Sequence, residues 1–110
     1  MADRIMKQGD TWMPMVMNVY RENTGPVNLA SATGVTLRMR SSDKQVYISG
    51  PISVENASTG AISYAWDDED TLVAGTYQLE VEVDWGLGRI ETFPNDSYKE
   101  VILIEQLDEP

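Results

Sequence analysis

Carboxylates are the side chains of this sequence whose type and spacing could do chemistry. Glu80, Glu82 and Asp84 alternate with apolar residues along the run TYQLEVEVDW. Glycoside hydrolases use two carboxyl groups about 5–9 Å apart, and residues i and i+2 of a strand are separated by about 6–7 Å. The spacing therefore admits such a pair. The same alternation is also typical of a half-buried strand with a wet acidic face, and we expect that structural role.

A second acidic group, DDED at residues 67–70, could supply oxygen ligands to a calcium ion. It lacks the glycine and the distal glutamate of the calcium-binding loop pattern. Acidic side chains also favour the amino end of a short helical turn, where the backbone dipole stabilises negative charge. We therefore expect a turn here, with no bound metal.

The stretch ETFPNDSYKE places Ser97 on a tight loop, where it resembles a catalytic nucleophile. A serine nucleophile needs a neighbouring base, and the chain contains no histidine and no suitably placed lysine. Pro94 and Asn95 favour a turn, and the aromatic Phe93 and Tyr98 on either side can anchor two strand ends. The motif predicts a corner where one strand stops and another starts. We expect no catalytic residues, no cofactor and no enzymatic activity.

Composition limits the remaining function classes. The 110 residues suffice for one domain, which we expect to span residues 1–110. Cysteine is absent, so no disulfide can form. The net charge of −10 argues against nucleic acid as a partner. No apolar run approaches the ~20 residues that span a bilayer, so we expect neither a signal peptide nor membrane insertion.

The charge is uneven along the chain. Residues 1–66 carry six basic and five acidic groups, a sum of +1, and residues 67–110 carry two basic and thirteen acidic groups, a sum of −11. A solvated acidic face explains this imbalance, and a field that steers a basic partner surface is the functional alternative.

Alternating hydrophobicity with a period of two predicts β-strands almost everywhere. Turn residues separate these runs at short intervals, and DWGLGR is a good candidate for a hairpin. The pattern favours an all-β, Ig-like antiparallel sandwich of two sheets with about seven to eight strands. The segment AGTYQLEVEV resembles the tyrosine corner of immunoglobulin domains. We expect the Tyr77 hydroxyl to bond to nearby backbone, and Tyr64, Trp66 and Trp85 to pack in the core.

Two runs are apolar on both faces. In MPMVMNVY, Val16 and Tyr20 oppose the methionine stripe that includes Met13, and core packing or a partner contact can explain that stripe. EVILIEQL reads as a central strand or as one covered by a partner. We predict a docking surface that includes Met13, Val16 and Tyr20 from the first run and Val101 and Leu103 from the second.

Five motifs in order carry a resemblance to a known family. The stretches IMKQGDTWMPM, GPVNLASATGVTLRMR, TGAISYAWDDEDTL, VAGTYQLEVEV and GRIETFPNDSY cover residues 4 to about 104. Together they resemble the amino-terminal domain of tailed-phage baseplate upper proteins. The chain departs mildly from the family pattern at VNLASA, where VDLTGA is usual, and at Ser97, where glycine is usual.

The resemblance implies an Ig-like attachment module in a virion, assembled in the cytoplasm of a host bacterium. The family's domain docks on the tail baseplate and is followed by a stalk, which this sequence does not contain. Tail, baseplate and capsid decoration are all open as locations. The expected partners are other virion proteins, with self-association as a further option. The alternative is a soluble Ig-like module that recognises host-surface carbohydrate or protein through an exposed Trp12 or Trp85.

Overall fold

The computed structural model describes residues 4–21, 24–94 and 99–106. These residues contain eleven β-strands and no α-helix, so the all-β prediction is confirmed. A single turn of 3-10 helix covers Ala57–Thr59. The strands are β1 (Arg4–Lys7), β2 (Met15–Asn18), β3 (Tyr20–Arg21), β4 (Gly25–Pro26), β5 (Gly34–Ser41), β6 (Tyr47–Pro51), β7 (Ser53–Asn56), β8 (Ala61–Tyr64), β9 (Gly75–Asp84), β10 (Ile90–Phe93) and β11 (Lys99–Ile104).

The larger sheet, sheet A, has the strand order β1-β11-β9-β5-β6, and β10 also pairs with β9. Strand β9 is central: β5 pairs with it over eight residues, from Gly34 opposite Asp84 to Ser41 opposite Tyr77. Its side chains alternate between buried and partly exposed, as the sequence predicted. All pairings in sheet A are antiparallel except that of β1, which runs parallel to β11.

The smaller sheet, sheet B, has the order β2-β8-β7, and β3 and β4 form a short hairpin. Apolar side chains from both sheets belong to one buried cluster. The members of this cluster that come from strands of sheets A and B are Met15, Val35, Leu37, Met39, Ile48, Ile62, Tyr64, Tyr77, Leu79, Val81, Val83, Phe93, Val101 and Leu103. The core therefore lies between the two sheets.

One edge of β9 is shared by two strand segments. Phe93, the last residue of β10, pairs with Val81, and Lys99, the first residue of β11, pairs with Leu79. Only Glu80 separates these two partners, whereas five residues separate Phe93 from Lys99. The prediction that one strand stops and another starts here is confirmed. Both strands run antiparallel to β9, and they therefore run in the same direction. Residues 95–98, which include Ser97, the serine considered as a nucleophile, and Asn95, predicted as a turn residue, lie outside the described residues.

Short strands explain part of the difference between the predicted and observed strand counts. Sequence periodicity predicted about seven to eight strands, and the described residues form eleven. The two-residue strands β3 and β4 account for two of the difference, because Tyr20 pairs with Pro26 and Arg21 with Gly25. Strands this short leave no period that a sequence pattern could detect.

Two local predictions are confirmed. The Tyr77 hydroxyl donates to the carbonyl oxygen of Val73 at 2.7 Å, four residues upstream. The DWGLGR segment closes the hairpin between β9 and β10, with the Trp85 N–H donating to the Arg89 carbonyl at 2.8 Å. Gly86 and Gly88 take the positive φ that this turn requires.

Candidate functional site

Two loops lie side by side at one end of sheet A. Residues 8–14 follow β1, and residues 66–74 precede β9. The Gly9 N–H donates to the Thr71 carbonyl at 2.7 Å, and the Gln8 side-chain amide donates to the Leu72 carbonyl at 2.6 Å. These bonds join residues more than sixty positions apart in the chain and fix the two loops as one structural unit.

The paired loops expose four large apolar side chains, which we call the loop-end surface. Trp12 is 89% exposed and Met13 62%, and on the second loop Leu72 is 54% and Val73 49% exposed. Single exposed apolar residues are common, but several on joined segments mark a site of interaction. An aromatic anchor such as Trp12 is the residue type that contributes most to protein interfaces.

A buried hydrogen bond holds the second loop in place. The Tyr64 hydroxyl donates to Asp70 Oδ2 at 2.5 Å, and the same oxygen accepts the Asp67 N–H at 2.8 Å. Burial, and then the bond to Asp70, raise the pKa of Tyr64 above its usual range. The Tyr64 ring also meets Trp66 edge to face, with the ring centroids 5.4 Å apart. The acidic run therefore contributes a structural anchor through Asp70.

Gly50 makes room for this anchor. A Cβ atom at position 50 would lie 2.8 Å from the Tyr64 hydroxyl oxygen and 2.9 Å from a ring carbon. Both distances are shorter than real Cβ contacts allow. Because Gly50 of β6 has no side chain, the Tyr64 ring fits against this strand and its hydroxyl reaches Asp70.

The remaining backbone of the loop-end surface is also tied to strands. The Arg4 guanidinium of β1 donates to the carbonyls of Met13 and Pro14, each at 3.2 Å. On the other loop, the Tyr77 hydroxyl binds the Val73 carbonyl. Each loop thus presents its apolar side chains from a backbone that is fixed by hydrogen bonds.

Exposed acidic residues lie on the same two loops as the apolar side chains of the loop-end surface. Asp10 on the first loop and Asp67, Asp68 and Glu69 on the second are all exposed. Neither residues 8–14 nor residues 66–74 contain a lysine or an arginine. The basic residues next to the first loop are the exposed Lys7 and also Arg4, whose guanidinium binds the Met13 and Pro14 carbonyls. Four exposed carboxylates outnumber these two, so the surface combines apolar side chains with a net negative local field.

The structure distributes the sequence-predicted docking residues over several places. Met13 belongs to the loop-end surface. Val16 is exposed on the outer face of β2, where it pairs with Ser63 of β8. Tyr20 is exposed on β3, beyond the opposite end of β2. These three residues do not form one surface.

The expectation that Val101 and Leu103 face a partner is corrected. Their side chains are 1% and 2% exposed and belong to the buried core. Strand residues alternate between faces, so the outward residues of β11 are Ile102 and Ile104. Ile104 is exposed and Ile102 is partly exposed, opposite the exposed Ile5 of β1. The prediction that both faces of β11 are apolar is confirmed, but the prediction chose residues of its inner face as the partner contact.

The acidic face of β9 is partly neutralised by its neighbour β5. Arg38 donates to Glu82 Oε1 at 3.0 Å and to the Tyr47 hydroxyl at 2.8 Å, while Arg40 donates to Gln78 at 3.2 Å. Side-chain hydrogen bonds, first to Tyr47 and then to Glu82, raise the pKa of Arg38. The alternating carboxylates thus lie on an open sheet face among basic side chains.

Among the residues that the structure describes, there is neither a candidate metal site nor a membrane-spanning helix. There, no three carboxylates come together as a group that could hold a metal ion. Nor does any helix among those residues have the length and apolar character to cross a bilayer.

Trp12 and Trp85, the two tryptophans expected to contact a ligand in the alternative function, differ in exposure. Trp85 is partly buried, and its indole N–H donates to Glu91 Oε1 at 3.2 Å. Trp66, by contrast, packs in the core. Trp12 is the tryptophan that the structure leaves almost fully exposed.

Leu72 and Val73 are functional candidates that the sequence reasoning missed. A signal for them exists: TLVAG is an apolar stretch that follows the acidic turn and precedes the alternating strand. Leu29 and Trp66 are apolar residues outside the strands that are buried, so this position in the sequence does not by itself distinguish exposure from burial.

Neither a protein-family model nor a curated protein matches this sequence.

Proposed function

We propose that this protein is a non-enzymatic attachment module of a tailed-phage or prophage virion. It docks on another virion protein through the loop-end surface formed by Trp12, Met13, Leu72 and Val73. The observation that carries the proposal is the exposure of these four side chains on two loops joined by two hydrogen bonds, one between backbone groups and one from the Gln8 side chain. The five ordered motifs that resemble the baseplate upper protein family supply the virion context.

An Ig-like sandwich is the proposed fold class. In support, one sheet has the order β1-β11-β9-β5-β6, and the other has the order β2-β8-β7. Tyr77 bonds to upstream backbone at the start of the central strand, as in a tyrosine corner. Leu79, two residues later, is fully buried where an immunoglobulin domain has its second cysteine.

A structural role agrees with the chemistry of the exposed surface. Glu82 is engaged by Arg38 on an open sheet face, and Asp70 is engaged by Tyr64 inside the fold. An enzyme needs a nucleophile or a general base held in reach of a partner group. The chain has no histidine or cysteine to take that role.

Particle composition tests the proposal. We expect the protein in purified particles made from the encoding genome, at a fixed copy number by quantitative mass spectrometry. The double variant Trp12→Ser/Leu72→Ser should fold and drop out of particles. Leu87→Ser is the matched control, because Leu87 is 94% exposed on the β9–β10 hairpin, away from the paired loops.

The copy number also locates the protein. A count near that of the major capsid subunit, or a simple fraction of it, indicates capsid decoration, and a few to a few dozen copies indicate the tail or baseplate. Absence of the wild-type protein from particles, or normal incorporation of the double variant, contradicts the proposal.

The exposure of Trp12 favours a second candidate function. In this alternative, the protein is a binding module for host-surface carbohydrate or protein, and Trp12 stacks on the ligand. Host-surface glycan should then change the tryptophan fluorescence of the wild type and leave that of Trp12→Phe unchanged. Protein missing from particles but responsive to glycan would support this candidate over the first.

A further inference from the structure

We propose that the loop-end surface fits an apolar socket whose rim carries lysine or arginine side chains on the partner protein. This inference rests on the proposed docking function and specifies the chemistry of the partner. Two features carry it: the exposed apolar side chains, and the exposed acids beside them on the same two loops.

The apolar part requires a concave partner. Trp12 projects almost fully into solvent, whereas a flat interface would cover only part of an indole ring. Tryptophan anchors contribute most when a pocket removes them from water. The Arg4 bonds to the Met13 and Pro14 carbonyls fix the chain just after Trp12, so little ordering of the backbone remains for binding.

The charged part requires a basic rim. Asp10, Asp67, Asp68 and Glu69 are exposed on the two loops and outnumber the two basic residues next to them, Arg4 and Lys7. Docking brings these carboxylates close to the partner's surface. Like charges there cost several kcal/mol, whereas opposite charges accelerate the encounter. These carboxylates therefore select for lysine and arginine around the socket.

The same charges disfavour two other occupants. In a symmetric contact between two copies of this chain, the acidic loops of one copy would face those of the other. An anionic lipid surface would repel the loops in the same way. A basic-rimmed protein socket is the occupant for which the apolar and charged parts both contribute.

Cross-linking from the surface identifies what occupies it. The photo-reactive residue p-benzoylphenylalanine is placed at position 12 in cells that produce particles, and at position 87 as the control. Carbodiimide then joins carboxylates to any lysine in ion-pair contact. We expect position 12 to cross-link to another virion protein, and Asp67, Asp68 or Glu69 to couple to lysines of that same protein.

Binding kinetics with the cross-linked partner separate the two parts of the surface. Neutralising the exposed acids of the second loop in Asp67→Asn/Asp68→Asn/Glu69→Gln should slow association about tenfold at low salt and flatten its salt dependence. Trp12→Ala should accelerate dissociation about tenfold or more. Glu55→Gln, at an exposed carboxylate on β7, is the control that should change neither rate.

The outcomes distinguish this inference from the proposed function. Absence of the protein from particles, with no cross-link to a virion protein, overturns both. Suppose that position 12 cross-links to a virion protein, but the association rate of the wild type with that protein does not depend on NaCl. This result overturns the basic rim alone. Cross-links from position 12 only to a second copy of the chain, or only to lipid, overturn the inference as well.

Discussion

At the scale of single residues, Tyr64 links the core to the loop-end surface. Its hydroxyl is buried and donates to Asp70, and both conditions raise its pKa above the ordinary value of about 10. The folded protein therefore holds this proton more tightly than the unfolded chain does. The stabilisation is fully present below about pH 10 and is lost as the pH rises toward the folded-state pKa.

We predict that the free energy of unfolding falls between about pH 10 and pH 12. In Tyr64→Phe this fall should be shallower, because the hydroxyl that titrates is gone. The variant should also lose about 1–3 kcal/mol at pH 7, since the buried Asp70 Oδ2 loses one of its two donors and keeps only the Asp67 N–H. Urea unfolding at a series of pH values measures both effects. Equal pH dependence in the two proteins would contradict the prediction.

Residue roles could be predicted from the sequence where they depend on nearby residues. The Tyr77 bond to Val73 spans four positions, and the segment AGTYQLEVEV, which begins directly after Val73, predicted a bond to nearby backbone. Val101 and Leu103 were assigned to the wrong face because β11 is apolar on both faces. Only its pairing with β9 and β1 decides which face is inner, and those partners lie far away in the chain.

At the scale of elements, Gly60 joins sheet B to the hairpin of β3 and β4. It ends the 3-10 turn with a φ of +75°, and its carbonyl accepts the Val19 N–H at 2.8 Å. A Cβ atom here would lie 2.8 Å from the carbonyl oxygens of Val19 and Val27. The Val19 oxygen accepts the Val27 N–H at 3.0 Å, so it cannot move away without straining that bond.

Gly60→Ala should therefore cost about 2 kcal/mol or more, from the left-handed backbone and the contact with backbone oxygens. Gly34→Ala is the matched control, because Gly34 has nothing within 4 Å of its Cβ position and does not need a positive φ. Its stability should stay within about 0.5 kcal/mol of the wild type. Denaturant midpoints compare the two variants, and similar losses in both would show that the crowding at Gly60 is unimportant.

Strands were predictable as elements, and their partners were not. The period of two located β5, β8 and β9, and two glycines marked the β9–β10 hairpin. No local pattern indicated that β10 and β11 share one edge of β9 or that β1 runs parallel to β11. Pairing of this kind depends on contacts between distant residues, which a reading of neighbouring residues does not detect.

At the scale of the whole molecule, the uneven charge of the sequence is partly evened out by folding. Arg38 and Glu82 form an ion pair at 3.0 Å, and Arg21 and Glu91 form one at 2.7 Å. Each joins an arginine of the first sixty-six residues to a glutamate of the remainder. The net charge of −10 remains, and the excess carboxylates repel one another in the compact state.

Salt should accordingly stabilise the protein at pH 7. Raising NaCl from about 10 mM to about 150 mM shortens the Debye length from about 30 Å to about 8 Å and screens the repulsion. Exposed ion pairs lose little, because each is worth less than about 1 kcal/mol. We expect a gain on the order of 1 kcal/mol, or about 4–8 °C in Tm.

Thermal unfolding by circular dichroism measures this gain. At about pH 4 many carboxylates are protonated, so the same addition of salt should change Tm much less. A protein whose Tm is the same at both salt concentrations at pH 7 would show that self-repulsion is already negligible in the fold.

The position of β9 has a consequence for synthesis. Strands β2, β7 and β8, which complete sheet B, have all been translated by residue 64, before β9 begins at Gly75. Sheet A cannot join β5 to β11 until β9 has left the ribosome, because both pair with it. During that interval the nascent chain carries Arg21 and Arg38 without their glutamate partners, and the inner face of β5 without its neighbour. Completion of sheet A therefore follows the translation of all three strands of sheet B.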